Sequence, residues 1–196
     1  MEIKVITDLS SEPVTTAIAK NYVKASYGTD AVEEALIASM VKAARQLIEE
    51  EADRSLGEKT IDIFFHADEI QAKRVRLPAG PHGDFTHVKS INQEGTETTL
   101  TLNTDYYKRG LQFKELEFLS ASVNPWSEGD SVSDDYVVRL VAGYGISETT
   151  EDLPEGFKQA ILKQVAEWYV NREDYVPVLS SGVKRILKQL SGNSYL

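Results

Sequence analysis

Apolar positions along this chain recur with two different periods, and the switches between them mark out its elements. Val32, Leu36, Ile37, Met40, Val41, Ala44, Leu47 and Ile48 fall three and four residues apart, one stripe of a helix that Asp30 is placed to cap. Ahead of it, Leu9-Ser10-Ser11-Glu12-Pro13-Val14 has the polar residues and early proline of a helix start, so a short helix is expected to about Lys24, closed by Ser26-Tyr27-Gly28-Thr29. From Gly57 the period falls to two: Ile61, Ile63 and Phe65 share one face of a strand within Lys59 to His66. Further strands are expected at Arg74 to Leu77, Phe85 to Asn92, Thr98 to Leu102 and Gln112 to Phe118, with Gln93-Glu94-Gly95 as a hairpin turn. Asn124 to Ser131 reads as an exposed loop, and Tyr136 to Ala142 is apolar on both faces, as an interior strand is, before Gly143-Tyr144-Gly145 ends it.

The helical period then returns. Leu153-Pro154-Glu155 opens a helix to about Arg172, with Phe157, Ile161, Val165 and Trp168 as its stripe. A break at Tyr175-Val176-Pro177 precedes a last helix from Ser181 to about Leu190, whose Val183, Ile186, Leu187 and Leu190 form one narrow apolar face. The order helices, strands, helices predicts an α+β fold: a small helical bundle with a β-rich insertion between its halves. Residues 1–56 would form the first half of the bundle, 57–150 the insertion, 151–190 the second half and 191–196 a tail.

Composition narrows the class. With 196 residues, 41% of them hydrophobic, the chain can bury a core as one domain or two small ones, and the absence of cysteine removes disulfides and cysteine-ligated zinc. No apolar run approaches the roughly 18 residues of a membrane span, and no signal peptide is recognisable after Met1, so no membrane partner is expected. A formal net charge of −10 argues against general nucleic-acid binding, which draws its affinity from Lys and Arg. The last twenty residues hold Lys184, Arg185 and Lys188 and no acid, which leaves −13 on residues 1–176. A basic tail on an acidic body is either a docking segment for an acidic partner or a solvated helix face.

Catalytic chemistry has no carrier in the pattern. The run Glu49-Glu50-Glu51-Ala52-Asp53 fans around a helix, about 100° per residue, so it reads as a solvated face and not as a metal site. His82 and His87 bracket a Gly83-Asp84 turn without the helical i, i+4 spacing or third ligand of a zinc protease, so a hydrolase built on His82, Asp84 and His87 is the remote alternative. Gly143-Tyr144-Gly145 lacks the further glycine and the lysine of a phosphate-binding loop. No cofactor or metal is implied. The one hint of binding is a set of aromatics placed in expected turns or tails, Tyr106, Tyr107, Trp126 and Tyr195, of the kind subunit interfaces use.

The order of short motifs resembles the head-tail connector, or adaptor, proteins of tailed bacteriophages over about residues 10 to 190. The resemblance rests on Pro13-Val14-Thr15, on a long helix ending in acids before Gly57 and Thr60, and on Arg76-Leu77-Pro78-Ala79-Gly80-Pro81 ahead of the Val88-Lys89-Ser90-Ile91 hairpin. It continues through Val141 to Gly145 and is most specific in Leu153-Pro154-Glu155, Lys158-Gln159-Ala160-Ile161-Leu162 and Trp168-Tyr169 followed by Asn171-Arg172-Glu173. The chain departs from the family in the longer stretch Leu111 to Asp135 and in Gly192 to Leu196.

The resemblance implies a structural, non-enzymatic virion protein: a dodecameric ring at the head-tail junction, bound to the portal protein on one side and to a stopper or tail-completion protein on the other, with DNA passing through the bore. A different head- or tail-completion factor is the alternative. It further implies that the C-terminal segment engages the portal, which nominates Val183, Lys184, Arg185, Ile186, Leu187, Lys188, Leu190, Tyr195 and Leu196. An acidic bore would let DNA slide without sticking, which nominates Glu49, Glu50 and Asp53, or Glu128, Asp130, Asp134 and Asp135, as channel-facing.

Overall fold

The computed structural model describes residues 1–24, 31–70, 73–92, 94–110, 113–119, 135–145, 153–171 and 178–192. Among the described residues the fold mixes four α-helices with antiparallel sheets, and the chain divides into two compact units: Met1–Asp8 with Glu58–Glu151, and Leu9–Gly57 with Asp152–Leu196.

The first unit holds every strand among the described residues. Its larger sheet runs in the order β1 (Glu2–Thr7), β2 (Lys59–His66), β8 (Asp135–Ala142), β4 (His82–Ile91), β5 (Glu97–Leu100), antiparallel throughout. The smaller sheet is β3 (Arg74–Arg76), β7 (Glu115–Phe118), β6 (Tyr106–Arg109). The two share one core. Ile61, Ile63 and Phe65, the predicted face of β2, lie among Tyr136, Val138 and Leu140 of β8 and Leu116 and Phe118 of β7. The rings of Phe65 and Tyr136 stack at 5.4 Å, and Phe118 from the other sheet closes on Tyr136 at 5.2 Å. Burying an aliphatic or aromatic side chain of this kind contributes about 1.5–3 kcal/mol, which is why the period-two face of β2 fixes the register.

Two strands depart from the sequence expectation. Residues 1–8 carry no element in the sequence reading, yet Glu2–Thr7 pairs along β2 from Glu2 opposite Phe64 to Thr7 opposite Thr60, with a bulge between Val5 and Thr7. Tyr106, expected in a turn, is buried in β6 against the shared core, and only Tyr107 beside it is exposed. Trp126 and Tyr195, Asp30 as a cap, and the loop from Asn124 to Ser131 lie outside the described residues.

The second unit is helical: α1 (Thr16–Tyr22), α2 (Ala31–Ala52), α3 (Glu155–Val170) and α4 (Ser181–Gly192). α1 starts later than the polar run at Leu9 suggests, because Thr15 is its cap and accepts from the Ile18 amide at 3.3 Å. α2 packs on α3, with Ile37, Met40, Val41, Ala44 and Ile48 of one and Phe157, Ala160, Ile161, Val165 and Trp168 of the other buried. The stripe read from the sequence begins one turn too early: Val32 and Leu36 are exposed, and burial starts at Ile37. Asn171 closes α3 by donating its side-chain amide to Glu167 O at 3.0 Å.

Candidate assembly surfaces

The C-terminal helix is built onto its own unit before it is offered to any partner. Gln164 of α3, fully buried, accepts from the Ser180 amide through Oε1 at 2.9 Å and donates through Nε2 to Val178 O at 3.3 Å. Ser180 then caps α4, its Oγ accepting from the Val183 amide at 3.3 Å. Val183 and Leu187 are buried, Ile186 and Leu190 half-buried, and the Leu190 side chain lies where a Cβ on Gly156 would stand. The apolar face serves the unit itself: Val183 and Leu187, with Ile186 and Leu190 beside them, hold α4 on α3. The charges that α4 shows to solvent are Lys184, Arg185 and Lys188, beside the exposed Ser181 and Gln189. Tyr195 and Leu196 lie outside the described residues.

The acidic run at the end of α2 separates in the same way. Glu49, nominated with this run, is turned inward: its carboxylate is buried, accepting from Arg45 Nη1 at 2.7 Å on one oxygen and from the Leu56 amide at 2.8 Å on the other. Arg45 reaches Glu12 with Nε at 2.8 Å and Nη2 at 3.3 Å, so the buried Arg45–Glu49 pair ties α2 to the segment before α1 through the guanidinium and to the segment after α2 through the carboxylate. The sequence carried a signal for this network. Arg45 and Glu49 stand four apart on the same stripe as Val41, Ala44 and Ile48, where a charge survives only if it is paired. Glu50 and Asp53 are exposed, as the acidic-face reading expects.

In the sheet unit, Asp135 opens β8 on the exposed rim of a cleft of about 430 Å³ lined by Met1, Glu2, His66 and Glu69 among others. His66 Nε2 stands 3.6 Å from Asp135. The N-terminal amine donates to Glu69 Oε2 at 2.6 Å and the His66 amide to Oε1 at 2.9 Å, contacts that hold the Glu69 carboxyl below the usual range. Glu128, Asp130 and Asp134 are outside the described residues.

On the face of this sheet turned from its core, register aligns Lys4, Asp62, Arg139 and His87 in one row across four strands. Arg139 grips Asp62 with Nε and Nη2, each at 2.7 Å, and holds that carboxyl below its ordinary value against the opposing effect of burial. His87 is pushed down, first by burial and then by the cations of Lys89 and Arg139.

The histidines do not converge. His82 stands opposite Ala142 and His87 opposite Arg139, on the two faces of β4. His82 is fully buried; its Nδ1 accepts from the Lys114 amide at 3.0 Å, so Nε2 carries the proton donated to Pro78 O at 2.7 Å. Asp84 pairs with Lys108 at 2.5 Å. Among the described residues no three His, Cys, Asp or Glu side chains gather where a metal ion could be held.

No protein-family model matches the sequence, and no curated protein matches it. The fold, however, is shared over nearly the whole chain with solved structures of gene transfer agent (GTA) particles. A chain in the virion of the native particle superposes with a TM-score of 0.72 at 19% identity, over 96% of this chain and 94% of the other. A chain in the neck of the empty particle, computed with C6 symmetry, gives the same values. A chain in the neck of the native particle, computed with C12 symmetry, gives 0.69 at the same identity and coverage. At that identity the likeness establishes the fold.

Proposed function

We propose that this chain is a structural adaptor of a tailed-phage-like particle, a ring between the portal and a tail-side stopper through which DNA passes. The observation that carries the reading is the end-to-end sharing of fold, 96% of one chain and 94% of the other, with chains from particle necks computed under six-fold and twelve-fold symmetry. The motif order read from the sequence points to the same class of protein, independently of any structural comparison. In this reading the helical unit, assembled from Leu9–Gly57 and Asp152–Leu196, is a bundle that carries most of the β unit as an insertion between its halves, β1 coming from the stretch ahead of it, and the role asks for no catalysis.

The portal-facing surface is the cationic side of α4, Lys184, Arg185 and Lys188, with the tail at Tyr195 and Leu196, while the apolar side keeps the helix seated. The bore is lined by one of two acidic stretches, the exposed Glu50 and Asp53 or the stretch holding Glu128, Asp130, Asp134 and Asp135, whose charge keeps the phosphate backbone from settling on the wall.

Mass photometry of the full chain mixed with the portal of its own particle tests this. A species heavier than the portal by one ring of subunits supports the adaptor role, and its loss in the Lys184→Glu, Arg185→Glu, Lys188→Glu variant supports the α4 surface. If the wild type never associates with the portal, the adaptor reading gives way to another head- or tail-completion factor.

A further inference from the structure

β1 and β5 are the two outer strands of the five-stranded sheet, and among the described residues no strand lies beyond either. All six residues of β1 are exposed, including Ile3 at 42%, Val5 at 48% and Ile6 at 39%. An edge strand that shows apolar side chains beside unpaired amides and carbonyls is a template for another strand, and natural proteins usually blunt such an edge. Here the blunting devices in β1 are the charges of Glu2 and Lys4 and the bulge after Val5, which leaves Glu2 to Val5 in regular register.

We infer that β1 of one copy pairs with β5 of the next copy of this chain, so that the five-stranded sheets join across the subunit boundary. The inference rests on the ring reading above and specifies one of its interfaces. The sheet is antiparallel with an odd number of strands, so β1 and β5 run in the same direction. Copies related by a rotation of cyclic symmetry therefore bring β5 alongside β1 as a parallel pair, the same junction at each boundary, and a closed ring leaves no edge open.

The faces also match. Ile3 and Val5 lie on the side of Ile63 and Ile61, the core side, where β5 presents Leu100 opposite Val88 and Thr98 opposite Ser90. On the other side β1 offers Lys4 and β5 offers Glu97, a carboxylate that already draws the Lys89 ammonium to 2.7 Å. The joined edges set apolar against apolar and cation against anion.

Hydrogen exchange on the full chain, monomer and ring separated by size and verified by mass photometry, reads the junction directly. Peptides covering residues 1–8 and 96–101 are expected to exchange more slowly in the ring by about tenfold or more. The Ile3→Lys, Val5→Lys variant, with both changes at exposed positions, should keep the monomer's circular dichroism and need about tenfold more protein to assemble, the penalty expected for charges forced into a strand edge. A ring in which neither peptide slows, or a variant that assembles like the wild type, overturns the junction and leaves the adaptor reading standing. Slowing of residues 1–8 alone means β1 pairs with β1 about a two-fold axis, which also overturns it. A wild type that forms no ring, alone or with portal, removes the adaptor reading and the junction together.

Discussion

Arg45 and Glu49, one turn apart in α2, are 1% and 8% exposed and meet at 2.7 Å inside a helix stripe that is otherwise apolar. Two charges taken out of water are tolerated because each is bonded beyond the pair: Glu12 accepts from Nε and Nη2 of the guanidinium, and the Leu56 amide donates to the second Glu49 oxygen. Glu49→Ala strips one partner from each of these. It should destabilise the protein by about 3 kcal/mol, the lower end for breaking a buried pair, since Glu12 still neutralises Arg45. The midpoint of urea unfolding checks this, and an unchanged midpoint would show that the network carries no stability.

Gln164 holds the start of α4 by two hydrogen bonds from a buried position in α3. Gln164→Leu preserves bulk but takes that partner from the Ser180 amide and the Val178 carbonyl; both groups are only partly buried, so the loss is expected at about 1 kcal/mol, the lower end for an unsatisfied polar group. The loss is local, so α4 should loosen while the sheet unit keeps its stability. Limited proteolysis is expected to cut near Leu179 faster in the variant, with the strands still protected.

The Lys4, Asp62, Arg139, His87 row makes the protein sensitive to acid in two steps. His87 has a folded pKa below its ordinary 6.5, so the unfolded chain binds the proton first and stability starts to fall as the pH drops below 6.5. Asp62 has a folded pKa below 3.8, so its stabilisation is complete above that pH and is lost as the pH falls from there through the lower folded value. Urea midpoints measured against pH should show both limbs. His87→Gln should flatten the upper one and Asp62→Asn the lower one.

Gly110 and Gly95 both have positive φ, +82° and +78°, yet they should respond differently to alanine. A Cβ at Gly95 meets nothing within 4 Å, so only the left-handed backbone is penalised, at about 1–2 kcal/mol. At Gly110 it would stand 2.2 Å from Phe113 O, a backbone atom that cannot swing away. Gly110→Ala should therefore lower the melting temperature clearly further than Gly95→Ala.

Elements whose apolar period is satisfied within their own unit were legible from the sequence: β2 through Ile61, Ile63 and Phe65, β8 through its double-sided run, and α3 through Phe157, Ile161, Val165 and Trp168. β1 was not, because a short edge strand buries neither face and so imprints little apolar pattern. The stripe of α2 misled at Val32 and Leu36, since periodicity records a helix's apolar side and not how far along it the partner reaches. The candidate surfaces followed the same division. Sequence spacing put Val183, Ile186, Leu187 and Leu190 on one face of α4 but could not tell a face that seats the helix on α3 from one kept for a partner. A run of acids likewise looks solvated throughout until Arg45 is seen to take Glu49 inward.

Because the helical unit is assembled from Leu9–Gly57 and Asp152–Leu196, its halves leave the ribosome at different times. β8 ends at Ala142 and α3 begins only at Glu155, so every described strand of the sheet unit has been synthesised before α2 receives its packing partner. At ordinary translation speeds that interval lasts on the order of ten seconds. Throughout it Ile37, Met40, Val41 and Ile48 lack the cover that α3 will provide, which makes α2 the stretch of nascent chain most dependent on a chaperone and the sheet unit the part that matures first.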